Sequence, residues 1–285
     1  MWQSIWQVGI DIQAQQILAV AVSQQSIGWS LKQWWQLPLP SGIFCKDRLQ
    51  KPERLIDTLR LWQQQLPQTY RLLCALPTAL ALQANLVLSE EQQKAAINSV
   101  IQQSLNTLFP LPAQELLYDY CYPEENPSSL LITIARRVVV DEWLAIFSRA
   151  QLFPTVLEII PCVLRSLARQ QQQHPLALLL SLQSSQAVVI TPLAASSQFT
   201  ILPLNSLLLT TSYRWCVDHC GVTPTACLIS GSRDHCADCL ASSPLPVSWW
   251  NPFIHTTTSL PCLPDERQEF AIACGLATRL SVEDH

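Results

Sequence analysis

Apolar and polar positions along the first forty residues fall into three extended segments. Val8–Ile12 (VGIDI) and Ile17–Val22 (ILAVAV) are short aliphatic runs of strand length, joined by Gln13, Ala14, Gln15 and Gln16. That joint has the length of a tight turn, so the pattern predicts a β-hairpin. Ile27–Leu39, rich in Trp and partly alternating, adds a third strand until Pro38 and Pro40 stop it. The second half restarts in the same way, with Ala177–Leu182, a polar joint at Gln183–Gln186, then Ala187–Pro192 and Phe199–Leu204. Two such units, each followed by helices, predict a duplicated α/β architecture.

Between the units, Leu55, Leu59 and Trp62 recur at helical spacing, so Pro52–Leu66 reads as an amphipathic helix with Pro52 in its first turn. Leu72–Leu76 follows as a short buried strand. Ser89 and Gln92 have capping-box spacing, which predicts a helix running to about Phe109 with Ala96, Val100, Ser104 and Leu108 on its face. Leu116–Cys121 and Leu130–Ala135 read as strands, Val138–Ala150 as a helix, Thr155–Ile160 as a strand and Pro161–Gln173 as a helix. Later come a helix at Leu207–Cys220, a strand at Ala226–Ile229, a turn at Ser230-Gly231-Ser232 and a helix at Cys236–Ala241. Glu266–Leu280 closes the chain as a helix, with Gly275 at a close packing point.

Composition narrows the function classes. The 285 residues can bury a sizeable core, and 49% are hydrophobic against 13% charged, which points to a surface partly covered by partners. Net charge is −4 with no stripe of Lys and Arg, so no nucleic-acid footprint is visible. The start lacks the pattern of a secretory signal, and Leu176–Thr211, the longest greasy region, is broken by polar residues and prolines. A soluble cytoplasmic protein is expected. Its 11 scattered cysteines do not form a disulfide framework and read as mostly buried thiols.

The order of segments resembles the PilM/HofM family, actin-like, FtsA-related proteins of type IV pilus assembly. The resemblance is carried by VGIDIQAQQILAVAV, ALPTALALQANLVLSEEQQ, LFPLPAQELLYDYCY, ITIARRVVVDEWLAIFSRAQLFPTVLEIIPCVLRSL, LISGS, NPF at Asn251–Phe253 and FAIACGLATRL. WQVGIDIQ and WWQLPL look nearest the HofM branch. The family implies an actin-like (ribonuclease H-like), two-lobed α/β fold with an inserted small α+β domain. Residues 1–39 and 137–174 would form the first lobe, 40–136 the inserted domain and 175–285 the second lobe. It also implies an adaptor that grips the N-terminal cytoplasmic tail of a PilN/HofN-like bitopic membrane protein. Such a protein lies at the inner face of the cytoplasmic membrane, touches the membrane only through its partner, and serves a pilus, secretion or DNA-uptake platform.

The fold suggests ATP with magnesium, and each candidate loop bears on that. Asp11 matches the acid of the first phosphate loop in sugar kinases and actin, but Gln13–Gln16 stand where glycines and small hydroxyl residues are expected. In the second loop Ser181 and Gln183 replace Asp and Gly, leaving Ser184 and Ser185 as donors; in the third, Gly231 alone keeps the glycine. Bulkier residues deny the close backbone approach that phosphates and adenine need. The expectation is therefore a degenerate site at Asp11, Gln13, Ser184, Ser185 and Gly231, with no cofactor and no enzymatic activity; the alternative is an active actin-like ATPase. Cys216, His219, Cys220, Cys227, His235, Cys236 and Cys239 cluster in sequence, yet no second CxxC completes a zinc site and no metal is expected. Neither a Gly-x-Ser-x-Gly elbow nor a His-Glu-x-x-His helix occurs. For partner binding, strand alternation turns one of Trp34 and Trp35, and one of Trp249 and Trp250, outward, and Leu86, Val87 and Leu88 are candidate groove walls.

Overall fold

The structure is a computed structural model that describes residues 5–280 except 27, 46–47, 95, 124–125, 127, 236–242 and 258–260. The first three segments form β1 (Trp6–Ile12), β2 (Gln16–Gln24) and β3 (Trp29–Pro38), an antiparallel meander. A two-residue pair follows, β4 (Phe44–Cys45) and β5 (Arg48–Leu49). Helix α1 (Pro52–Gln63) then buries Leu55, Ile56, Leu59 and Trp62 on one stripe, each apolar side chain contributing about 2 kcal/mol. β6 (Tyr70–Leu76) returns beside β1 in parallel.

A small unit comes next: β7 (Ala81–Val87), a one-turn α2 (Glu90–Gln93), α3 (Ile97–Leu108), β8 (Leu116–Cys121) and β9 (Ser129–Arg136). Its sheet has the order β7-β9-β8, with Val100, Ile101 and Leu105 of α3 packed on Leu130, Ile132 and Ile134. The chain re-enters the first lobe as α4 (Arg137–Arg149), β10 (Pro154–Ile159) and α5 (Ile160–Gln170). The second unit is β11 (Ala177–Leu182), β12 (Gln186–Ile190), β13 (Phe199–Pro203), α6 (Leu208–Cys220), β14 (Ala226–Ser230) and β15 (Val247–Trp249). The two-residue β16 (Thr256–Thr257) and the helix α7 (Ala271–Ala277) follow.

The two large sheets run β10-β6-β1-β2-β3-β16 and β13-β12-β11-β14-β15. Helices α1 and α4 cover one face of the first sheet, and α6 covers one face of the second. Helix α5 lies between the sheets, where Val163, Leu164 and Leu167 meet Leu73 on one side and Leu179, Val188 and Ile190 on the other. The lobes therefore share a core. Arg165 of α5 is buried and donates to the carbonyls of Thr191, Pro192 and Ala195 at 2.9–3.0 Å, tying α5 to the loop after β12.

The structure corrects four expected boundaries. Residues 40–76 are not part of the insertion, because β6 is an inner strand of the first sheet and α1 covers that sheet; the small sheet spans Ala81–Arg136. The end of the chain does not stay with the second lobe, since β16 pairs with β3 and α7 packs on β1. The capping box at Ser89 forms but closes only α2; extended backbone at Ala96 separates it from α3, so the buried face is Val100, Ile101 and Leu105. The closing helix is likewise shorter, a 3-10 turn at Arg267–Phe270 followed by α7. A Cβ on Gly275 would stand 2.7 Å from Cγ1 of Val163, in keeping with the close packing expected there. The helix expected at Cys236–Ala241 lies outside the described residues.

Candidate functional site

Where the turns of the two hairpins face each other, they border a cleft of about 570 Å³. The turns are built alike: the N–H of Gln13 donates to the carbonyl of Gln16 at 2.9 Å, and that of Gln183 to Gln186 at 2.8 Å. One N–H of each turn is thereby used to close it.

Asp11, at the end of β1, is only 3% exposed. Burial pushes its carboxyl up to about 6, against the opposing effect of the Gln13 amide, which donates to Oδ2 at 2.8 Å. Gln16 donates through Nε2 to Oε1 of Gln13 at 3.2 Å and to Oε2 of Glu269 at 3.0 Å, while its Oε1 accepts from Gln36 at 2.8 Å. Asp234 lines the cleft from the second lobe, beside Ser232. The described lining residues thus supply three carboxylates, from Asp11, Asp234 and Glu269, and include neither Lys, Arg nor Gly.

Of the residues expected at the cleft, Asp11, Gln13 and Ser184 line it, but Ser185 and Gly231 are not among the lining residues. The carbonyl of Ser185 accepts from Leu204 at 3.4 Å. Gly231, with φ +105°, serves packing instead, since a Cβ there would stand 2.3 Å from the carbonyl oxygen of Leu182, and its N–H donates to Gln268 at 3.0 Å. It seats the third loop beneath the second hairpin. Sequence reasoning missed Gln36, Asp234 and Glu269; no local signal marks them, because they arrive from the third strand, an exposed turn and the 3-10 turn before the last helix.

The expected partner residues are mostly covered. Trp35 is buried edge-on to Trp62, with ring centroids 5.7 Å apart. Trp34 meets Phe270 edge-on at 5.6 Å and donates to the carbonyl of Cys262 at 2.7 Å. Trp250 is buried and donates to Gln171 at 2.7 Å, whereas Trp249 is half-buried beneath the guanidinium of Arg233. Leu88 is in the small unit's core with Leu86 packed against it, and only Val87, 70% exposed, faces outward. Another groove, of about 620 Å³, lies where the first turns of α4 meet the segment entering β8; Gln114, Glu115, Arg136, Val138 and Asp141 line it. Val138 is 58% exposed there. Among the described residues no group of three or more His, Cys, Asp or Glu could hold a metal ion; Cys236 and Cys239 lie outside them.

Two sheets related by duplication, a helix shared between them and a cleft bordered by paired hairpin turns define an actin-like protein. The sequence profile of the type IV pilus assembly protein PilM family matches residues 9–203. The chain belongs to that family. It is similar to the DNA utilization protein HofM of Escherichia coli (strain K12), at 28% identity over 152 residues, which is 48% of this chain and 57% of that protein. A solved PilM-PilN type IV pilus biogenesis complex contains a chain of the same fold, with a TM-score of 0.78 and 15% identity over 96% of this chain and 98% of that one. The cytoplasmic domain of EpsL, from the type II secretion system of Vibrio cholerae, matches at a TM-score of 0.53 and 10% identity over 94% and 92% of the two chains. A Bacteroides thetaiotaomicron protein with an actin-like ATPase fold matches at 0.54 and 8% identity, over 97% of each chain.

Proposed function

We propose that this chain is a non-enzymatic adaptor that holds the N-terminal cytoplasmic tail of a PilN-like bitopic membrane protein within a pilus or DNA-uptake assembly platform. The observation that carries the reading is the make-up of the cleft in a chain of this family. A triphosphate needs N–H groups at close-approaching glycines and a cation, and the cleft offers amides and three carboxylates instead. With no glycine to admit close backbone approach and no Lys or Arg among the described lining residues, the residues present do not fit the phosphates of ATP. The relative solved with PilN lends the partner class, and the groove beside Val138 offers a place for an extended tail, next to β8 at the edge of its sheet. No helix among the described residues is long and apolar enough to cross a membrane. The adaptor would then work at the inner face of the cytoplasmic membrane.

Titrating a synthetic N-terminal tail peptide of a PilN-like protein from the same organism tests the reading. Wild type binds it, and Val138→Glu weakens binding about tenfold by placing a charge in an apolar contact. Absence of binding by the wild type overturns the adaptor reading, and unchanged affinity in the variant moves the tail to another surface. The competing ATPase reading predicts ATP affinity that Asp11→Ala abolishes.

A further inference from the structure

The amide of Gln16 uses both of its ends. Its nitrogen reaches Glu269 at 3.0 Å and Gln13 at 3.2 Å, and its oxygen accepts from Gln36 at 2.8 Å. Glu269 belongs to the 3-10 turn Arg267–Phe270, and the carbonyl of the preceding residue, Gln268, accepts the N–H of Gly231 at 3.0 Å. Gly231 in turn lies against the carbonyl of Leu182, where the second hairpin begins its turn. A chain of contacts therefore runs from the first hairpin, along the floor of the cleft, to the second.

We propose that this clasp does internally what a bound nucleotide does in a nucleotide-dependent actin-like protein: the Glu269 carboxylate serves as the anion, Gln16 supplies the donor and is itself held by Gln13 and Gln36, and the hairpins keep one arrangement with no ligand present. The chemistry is matched. A carboxylate accepts N–H donors as a phosphate oxygen does, and a hydrogen bond to a charged acceptor is the stronger kind. The Gln16 side chain delivers from a longer reach a donor that glycine backbone would otherwise present. The clasp works in this way whichever partner the chain binds, because it involves the cleft alone.

Hydrogen exchange of the full chain, followed by mass spectrometry, tests it. Gln16→Glu sets two carboxylates against each other and raises exchange about tenfold in both 11–18 and 266–270. Combining Gln16→Glu with Glu269→Gln restores one donor and one acceptor, and brings both segments back to within about twofold of wild type. Millimolar ATP with magnesium leaves wild-type exchange unchanged. The proposal is overturned if Gln16→Glu alters neither segment, if the paired variant fails to restore protection, or if ATP slows exchange at the wild-type hairpins.

Discussion

Gly9 lies against the backbone of Ala273 so closely that a Cβ added at Gly9 would stand 2.1 Å from the Ala273 carbonyl oxygen, and 2.6 Å from the nitrogen of Ala277. No rotamer relieves such a clash, because its partners are main-chain atoms. The first strand thus has room for the last helix only with hydrogen at this position, and the two ends of the chain close one core. Gly9→Ala is expected to cost about 3 kcal/mol or to prevent folding, read as a lower urea midpoint. An unchanged midpoint would mean that α7 does not sit on β1.

The raised carboxyl of Asp11 makes stability depend on pH in a stated direction. Its folded value is about 6 against an ordinary 3.8, so the folded state holds the proton more tightly. The contribution of Asp11 is therefore most favourable below about pH 4, is lost as pH rises toward 6, and stays lost above it. Asp11→Asn keeps an acceptor for Gln13 without the buried charge. It is expected to stabilise the protein at pH 7, by up to about 3 kcal/mol, and to give little at pH 4. Chemical denaturation at both values checks this; a destabilised variant at pH 7 would show that the carboxylate is needed ionised.

Arg165 fixes the loop after β12 to the shared helix through three carbonyls. Truncation to Ala leaves those buried acceptors without their donors, at about 3 kcal/mol or more. Lys at this position keeps charge but not the planar fork, so Arg165→Lys should recover less than half of the loss. Equal stability of Lys variant and wild type would remove the geometric role.

Trp34 separates a structural from a recognition role. Its indole packs on Phe270 and donates to Cys262, so Trp34→Ala is expected to lower stability by about 2 kcal/mol while leaving tail-peptide affinity unchanged. Affinity that falls while stability holds would return Trp34 to the partner surface.

Periodicity made the hairpins and their duplication legible, and Gln13 and Gln16 stand in the first turn where a phosphate loop carries glycines and small hydroxyl residues. What stayed hidden was long-range. Glu269 meets Gln16 across 253 positions, and nothing near either residue announces the other. Leu72–Leu76 reads as a buried strand from its own residues, but its place between β1 and β10 follows only from crossover topology. The Trp pairs were ambiguous because alternation tells which face a ring points to, not what covers that face; here the tail of the chain covers Trp34. Ser89 has the cap of a long helix, yet extended backbone at Ala96 limits it to one turn.

The proposed adaptor, its hairpins held by their own side chains, is expected to capture its partner without nucleotide. Calorimetric titration of the tail peptide into the purified chain, with and without millimolar ATP and magnesium, tests this most directly. The same dissociation constant is predicted in both, with no heat from ATP alone; an affinity that changes about tenfold with nucleotide would contradict it.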